Sequence, residues 1–137
     1  MKTFHIVTAA AIGLAAPAFA EGDAAEGEKE FRTCKSCHMI ESPDETIVRG
    51  GRVGPNLYGV AGATAGAAED FRYSDLMAAA NEQGVEWTEE NFVGYVQDPT
   101  GWLKETTGES GRGKMTFRVR SEEDARNLYA YLASLTE

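Results

Sequence analysis

The run Cys34-Lys35-Ser36-Cys37-His38 constrains this 137-residue chain more than any other feature. It holds both cysteines of the protein. Two thiols separated by two residues, with an imidazole directly behind them, have the spacing of a covalent attachment site for c-type haem. Each thiol can add to one vinyl group of the porphyrin. The histidine then sits beneath the ring, within reach of the iron. A chain with such a hook is expected to fold around its cofactor, and without it to fold poorly, because a domain this small has a modest core of its own.

The first twenty residues read as an export signal. Lys2 supplies a charged start, Ile6 to Ala16 a short apolar stretch, and Ala18-Phe19-Ala20 a small-x-small cleavage pattern. Thr8, Gly13 and Pro17 interrupt the apolar part, which falls short of the roughly 20 residues a membrane span needs. The expectation is therefore a cleaved signal at 1–20 and one domain at 21–137, in the periplasm. An uncleaved signal acting as an anchor is the alternative. No later segment reads as a span.

An exported compartment is oxidising, so a disulfide or a thioredoxin-like pair is the competing reading of the two cysteines. The second belongs beside a βαβ pattern, which the chain lacks. Zinc needs four ligands. With His5 removed alongside the signal, His38 is the only histidine, and Cys34, Cys37 and His38 have no evident fourth partner. Losing Lys2 takes the formal charge from −9 to −10. So acidic a protein is expected to be soluble and to avoid nucleic acid.

The remainder reads as short helices joined by Gly-rich loops, without repeats or a convincing strand. Asp23 can cap a first helix that runs into the cysteines, with Gly27 and Phe31 on one face. Ser74 can cap a helix over Asp75 to Gln83 that stops at Gly84, and Thr88 another over Glu89 to Gln97. Asp98-Pro99 ends that helix and begins a short turn through Leu103, followed by a polar loop from Thr106 to Lys114. Residues 39 to 70 are expected to be mostly loop. Ser121 caps the clearest helix, in which Ala125, Leu128, Tyr129, Leu132 and Leu135 recur at helical spacing. Its apolar stripe suits packing against the first helix, with Gly27 permitting close approach.

His38 fills one axial position of a bound iron, and no second mature histidine exists to fill the other. Methionine is the natural substitute, and His/Met ligation raises the reduction potential. Met39 adjoins His38 and cannot reach the opposite face. Met77 sits in an expected helix, where a packing role suits it. Met115 follows a Gly-rich loop far from His38 in sequence. Met115 is the expected ligand and Met77 the alternative. An iron held on both sides has no vacancy for oxygen or peroxide, and it can change charge without changing ligands.

Taken in order, the motifs resemble those of the class I c-type cytochromes, in particular the larger bacterial cytochrome c2 and c550 type. They are Gly27-x-x-x-Phe31, Cys34 to His38, Gly54-Pro55-Asn56-Leu57, Phe71-x-Tyr73, Trp87, Tyr95 with Asp98-Pro99, Lys114-Met115-Thr116-Phe117, and Tyr129-Ala130-Tyr131-Leu132. The resemblance covers roughly Gly22 to Leu135. It implies an all-α fold of short helices and Gly-rich loops around one covalent haem, with N- and C-terminal helices packed together. It implies that the Pro55 carbonyl accepts from the His38 ring and that the Tyr95 hydroxyl points at the Met115 sulfur. Tyr73 and Trp87 would donate to a buried propionate, and Leu57, Leu128 and Phe117 would line the haem. The chain departs from the pattern at Ala63, where the family commonly carries a basic residue near the propionates. Longer segments at 39–54, 74–84 and 105–114 match the larger bacterial type.

Charge is unevenly spread. Between Pro99 and Arg120 stand Lys104, Arg112, Lys114, Arg118 and Arg120, opposed only by Glu105 and Glu109. Lys35 and Arg52 lie in the other haem-binding segments. These residues are expected to ring the exposed haem edge and dock acidic patches on redox partners. The resemblance implies a monomeric electron carrier, not an enzyme, between the cytochrome bc1 complex and a photosynthetic reaction centre or terminal oxidase. The alternatives are a haem peroxidase or small-ligand enzyme with a labile sixth position, and a haem subunit fixed in a membrane complex.

Overall fold

The computed structural model describes residues 22–137; the expected signal segment lies outside the described residues. Five helices account for most of the regular structure: α1 (Ala24–Glu30), α2 (Asp75–Glu82), α3 (Glu89–Gln97), α4 (Pro99–Thr107) and α5 (Glu122–Ser134). Four start where a side chain stands ready to take a free N–H group. Asp23 accepts from Ala25 and Glu26 at 2.9 and 3.1 Å. Ser74, Thr88 and Ser121 accept from Met77, Asn91 and Asp124 at 3.2, 3.2 and 3.0 Å.

Two elements differ from expectation. A fifth cap, Asp98 accepting from Gly101 at 3.3 Å, opens a nine-residue helix, α4, in place of a short turn. Pro99 occupies its first turn, where a missing N–H costs nothing, and Leu103, completely buried, fixes it to the core. The polar loop consequently begins only at Gly108. The 39–70 segment also holds a small antiparallel hairpin, β1 (Ile40–Glu41) and β2 (Thr46–Val48). Ser42 closes its turn, its hydroxyl accepting from Asp44 and Glu45 at 3.3 and 3.1 Å. Strands of two and three residues are too short to display alternation.

The terminal helices cross with almost no space between their backbones. A Cβ at Gly27 would lie 2.0 Å from the Asn127 carbonyl oxygen and 2.8 Å from Tyr131 Cβ. The Phe31 and Tyr131 rings meet beside this crossing at 5.9 Å. Asn127, 6% exposed, ties the ends together: its Oδ1 accepts from the Asp23 N–H at 2.8 Å and its Nδ2 donates to Glu30 Oε1 at 3.3 Å. Helix α3 packs on the next face of α5 through Phe92 and Tyr129, whose rings are 5.4 Å apart.

The other Glu30 oxygen is buried without a hydrogen-bond partner. Burial raises this carboxyl above the ordinary glutamate range; the Asn127 amide opposes the shift, and Asp124 and then Glu26 reinforce it. An acid with a raised folded-state pKa favours the native state most below its unfolded pKa. It loses that advantage as pH rises through the raised value. Glu30→Gln should therefore be at least as stable as the parent at neutral pH, with the advantage shrinking in acid. Denaturant melts of both proteins at neutral and acid pH check this; an advantage that grows in acid contradicts it.

Candidate haem site

The chain leaves α1 through a single 3-10 turn, Phe31–Thr33, and the cysteine motif continues that winding. Cys37 and His38 N–H groups donate to the Cys34 carbonyl at 3.1 and 2.9 Å. The turn directs Cys34, Cys37 and His38 to one cavity of about 440 Å³. The thiols are not bonded to each other. Burial pushes the Cys34 thiol above its ordinary value, with only a weak opposing contact from the Thr33 hydroxyl.

His38 is held from behind. Its Nδ1 donates to the Pro55 carbonyl at 2.8 Å. Burial lowers the pKa of the imidazole and the Pro55 contact partly offsets this, so the ring is kept neutral. With Nδ1 protonated, Nε2 carries the free lone pair a metal requires. Gly54 makes this approach possible, since a Cβ there would stand 2.3 Å from His38 Cε1. Asn56 fixes the same loop to β1: its Nδ2 donates to the Glu41 carbonyl at 2.8 Å and its Oδ1 accepts from the Glu41 N–H at 2.9 Å. The sequence motif contains Asn56, but its bracing role becomes visible only once the hairpin exists.

Of the three methionines among the described residues, Met77 and Met115 line the cavity and Met39 does not. Met77 is 7% exposed on α2, among the core side chains. Met115 is half-buried on a segment pinned at both ends. Gly113 N–H donates to Thr100 Oγ1 at 3.0 Å, and Val119 N–H to the Val96 carbonyl at 2.8 Å. Lys114 adds a clasp, donating to the Arg72 carbonyl and lying 5.3 Å over the Phe71 ring.

Tyr73, Trp87 and Tyr95 line the same cavity. The Tyr73 hydroxyl accepts from the Ala68 N–H at 3.1 Å, which leaves its own proton available to a ligand. Tyr95 is pushed up to about 12, mainly by burial. Among the described residues its hydroxyl makes no hydrogen bond, to Met115 or to any other group. Trp87 is 6% exposed, with backbone bonds to the segment containing Ala63. Ala63 itself reaches the cavity wall and brings no charge to it. Leu57, Leu128 and Phe117 complete the apolar lining; Phe117 remains 47% exposed.

These features fit a haem. The cavity is walled by apolar side chains, bears two thiols and a neutral imidazole at one end, and offers a thioether from Met115 or Met77. The expected basic rim is less uniform than the sequence suggests. Arg118 pairs with Asp98 at 2.9 Å, and Arg52 approaches Glu41 at 3.9 Å. Lys35, Lys104, Arg112 and Arg120 are exposed and make no ion pair among the described residues.

No family model matches the chain. Individual proteins do. Cytochrome c2 of Rhodovulum adriaticum is 56% identical over 117 residues, covering 83% of this chain and 93% of that protein. The crystal structure of cytochrome c2 from Rhodobacter sphaeroides superposes with a TM-score of 0.80 at 48% identity, over 83% of this chain and 96% of the other. The structure of ferric cytochrome c-550 from Paracoccus versutus does so with a TM-score of 0.79 at 45% identity, over 85% and 100%.

Proposed function

The chain belongs to the class I c-type cytochromes, of the cytochrome c2 and c-550 type, and from that premise we propose that it is a soluble periplasmic one-electron carrier with His/Met axial ligation. Membership brings haem c, joined through Cys34 and Cys37. When bound, the haem supplies a one-electron iron couple. The rest is work for the chain's own side chains.

The observation that carries the reading is that the neutral His38 ring and the Met115 thioether line one apolar cavity. His38, oriented by Pro55, and Met115, on its pinned segment, would hold the iron. Both ligands sit on backbone fixed by hydrogen bonds, so little rearranges when the charge changes. The apolar walls exclude water, and an iron held by both residues would have no vacancy for peroxide or oxygen. With the haem bound, Tyr73 and Trp87 would donate to a propionate, and the Tyr95 hydroxyl, without a partner among the described residues, would be free to turn toward the thioether. The signal at 1–20 exports the chain, leaving 21–137 as the cytochrome domain.

A redox titration followed by visible spectra tests this reading. One reversible one-electron transition is expected, with the weak sulfur-to-iron band in the oxidised form. A high-spin native iron that binds peroxide readily would favour an enzyme instead.

The partners fit the same reading. The cytochrome bc1 complex would donate, and a reaction centre or terminal oxidase would accept. Lys114 lines the cavity, and with Lys35, Lys104, Arg112, Arg118 and Arg120 it would form the basic docking face. Such charges steer encounter more than they add affinity, and salt screens them beyond a Debye length of about 8 Å at physiological ionic strength. Electron transfer from reduced carrier to membranes holding the acceptor should slow as salt rises. Because Asp98 already neutralises Arg118, Lys104→Ala should flatten that salt dependence more than Arg118→Ala. A salt-independent rate removes the docking role and leaves the redox role intact.

A further inference from the structure

We propose that Glu30 and Asp124 form a proton-operated latch between the terminal helices: a proton shared by the two carboxyls fastens α1 to α5, and its loss frees the end of α1 that leads to Cys34. The latch needs no chemistry at the haem and is independent of the partners assigned above. Glu30 is the last residue of α1 and Asp124 the third of α5. Their carboxyls lie within hydrogen-bonding reach of each other. One Glu30 oxygen, Oε2, is buried without a partner.

The surrounding groups leave one way to satisfy that oxygen. Asn127 cannot reverse its amide, because its Oδ1 accepts from the Asp23 N–H at 2.8 Å, and its Nδ2 donates to the other Glu30 oxygen at 3.3 Å. No cation is at hand. Among the described residues Glu30 makes no ion pair. Lys29 is held by Glu26 at 2.6 Å, and Arg126 by Glu122 and Glu89 at 2.5 and 3.4 Å. Glu26, one turn back on α1, and Cys34, four residues on, are the other titratable groups that face Glu30, and neither brings it positive charge. Cys34 no longer titrates once it is a thioether. The missing donor is therefore a proton of Glu30 itself, carried on Oε2 and given to the Asp124 carboxylate.

Helix polarity decides which carboxyl keeps the proton. Glu30 stands at the C-terminal end of α1, where a negative charge is disfavoured. Asp124 stands in the first turn of α5, where one is favoured. Burial, opposed by the Asn127 amide and reinforced by Asp124, holds the Glu30 carboxyl above its ordinary range. An acid raised in this way stabilises the fold below its unfolded pKa and stops doing so as pH rises through the folded value. The latch is thus closed in acid and opens toward alkali. When it opens, two neighbouring carboxylates repel and Oε2 shares a buried charge without a donor. Both are relieved if the end of α1 lifts from α5.

The test uses the haem-loaded, reduced protein with carbon-13 in its glutamate carboxyls, beside Glu30→Gln and Asp124→Asn. In the nuclear magnetic resonance titration, Glu30 should lose its proton at higher pH than the other glutamates. Asp124→Asn should move that loss to lower pH. Amide hydrogen exchange, corrected for its intrinsic pH dependence, reads the latch itself. In the parent, the amides at the end of α1 should lose protection relative to those of α3 as pH rises through the Glu30 titration. Glu30→Gln, whose amide can donate to Asp124 at every pH, should keep its protection. A Glu30 that titrates with the other glutamates, or that does not move in Asp124→Asn, overturns the shared proton. Protection of α1 that ignores the titration overturns the latch. Should either variant fail to fold, the parent's titration and exchange profile decide alone.

Discussion

Gly27→Val should separate the terminal helices and leave a holoprotein that unfolds at far lower denaturant than the parent. The Cβ position at Gly27 is 2.0 Å from the Asn127 carbonyl oxygen and 2.5 Å from its carbon, both backbone atoms of α5. Backbone cannot swing aside as a flexible side chain can. Either α1 or α5 must translate as a unit. Overfilling a packed contact costs about 1–3 kcal/mol when neighbours can adjust, and the cost here should exceed about 3 kcal/mol because they cannot. That is a large part of the roughly 5–15 kcal/mol by which domains are stable. The loss spreads to neighbours: Phe31 against Tyr131 at 5.9 Å, and both hydrogen bonds of Asn127. Since α1 leads directly into Cys34, a displaced α1 also moves the haem attachment. Gly27→Ala should show the same defect in milder form. Denaturant unfolding followed by haem absorbance and far-ultraviolet dichroism checks this; a Gly27→Val protein with the parental midpoint would contradict it.

The parts most legible in the sequence were those set by local chemistry. Asp23, Ser74, Thr88 and Ser121 marked helix starts because a short oxygen-bearing side chain satisfies free N–H groups two or three residues on, a rule that needs no tertiary information. The cysteine motif and the family order of Gly54-Pro55-Asn56-Leu57 and Lys114-Met115 likewise led to residues that share one cavity. Where a long-range contact decides, the sequence was silent or misleading. Gly101 and the Thr106-Thr107 pair argue against a helix, and α4 is held by the Asp98 cap and by Leu103, buried in the core. The β1–β2 hairpin depends on the Ser42 turn and on Asn56, which binds Glu41 across fifteen residues. The rim was overestimated for the same reason. Counting charges along the chain cannot reveal that Arg118 meets Asp98 across a fold. Nor could spacing foresee Trp102 stacking on Trp87, since Gly94 from another helix makes the room.

Met115→Ala should change the chemistry of the site more than its fold. The side chain is half-buried, so truncation should cost about 2 kcal/mol, the low end for removing a methionine from a core. The segment carrying it stays fixed by Gly113 to Thr100 and by Val119 to Val96, at 3.0 and 2.8 Å. The Lys114 clasp on Phe71 also remains. What goes, on the proposed ligation, is the soft sulfur donor. Thioether ligation favours the reduced iron and so raises the potential; without it the potential should fall, and the sulfur-to-iron band should vanish. The cavity that Met115 lines is also walled by Leu57, Phe92, Tyr95 and Val96. None of these is a metal ligand at ordinary pH, because burial holds the Tyr95 phenol protonated up to about 12. Added imidazole or cyanide should therefore bind the variant and not the parent. Met77 lines the same cavity and is the control. Met77→Ala should lower stability through lost packing on α2 and keep both the band and the potential near parental values. If the band survives in Met115→Ala and disappears in Met77→Ala, the assignment of the two methionines is reversed, and the segment from Gly113 to Val119 becomes a cover over the haem with no bond to its iron.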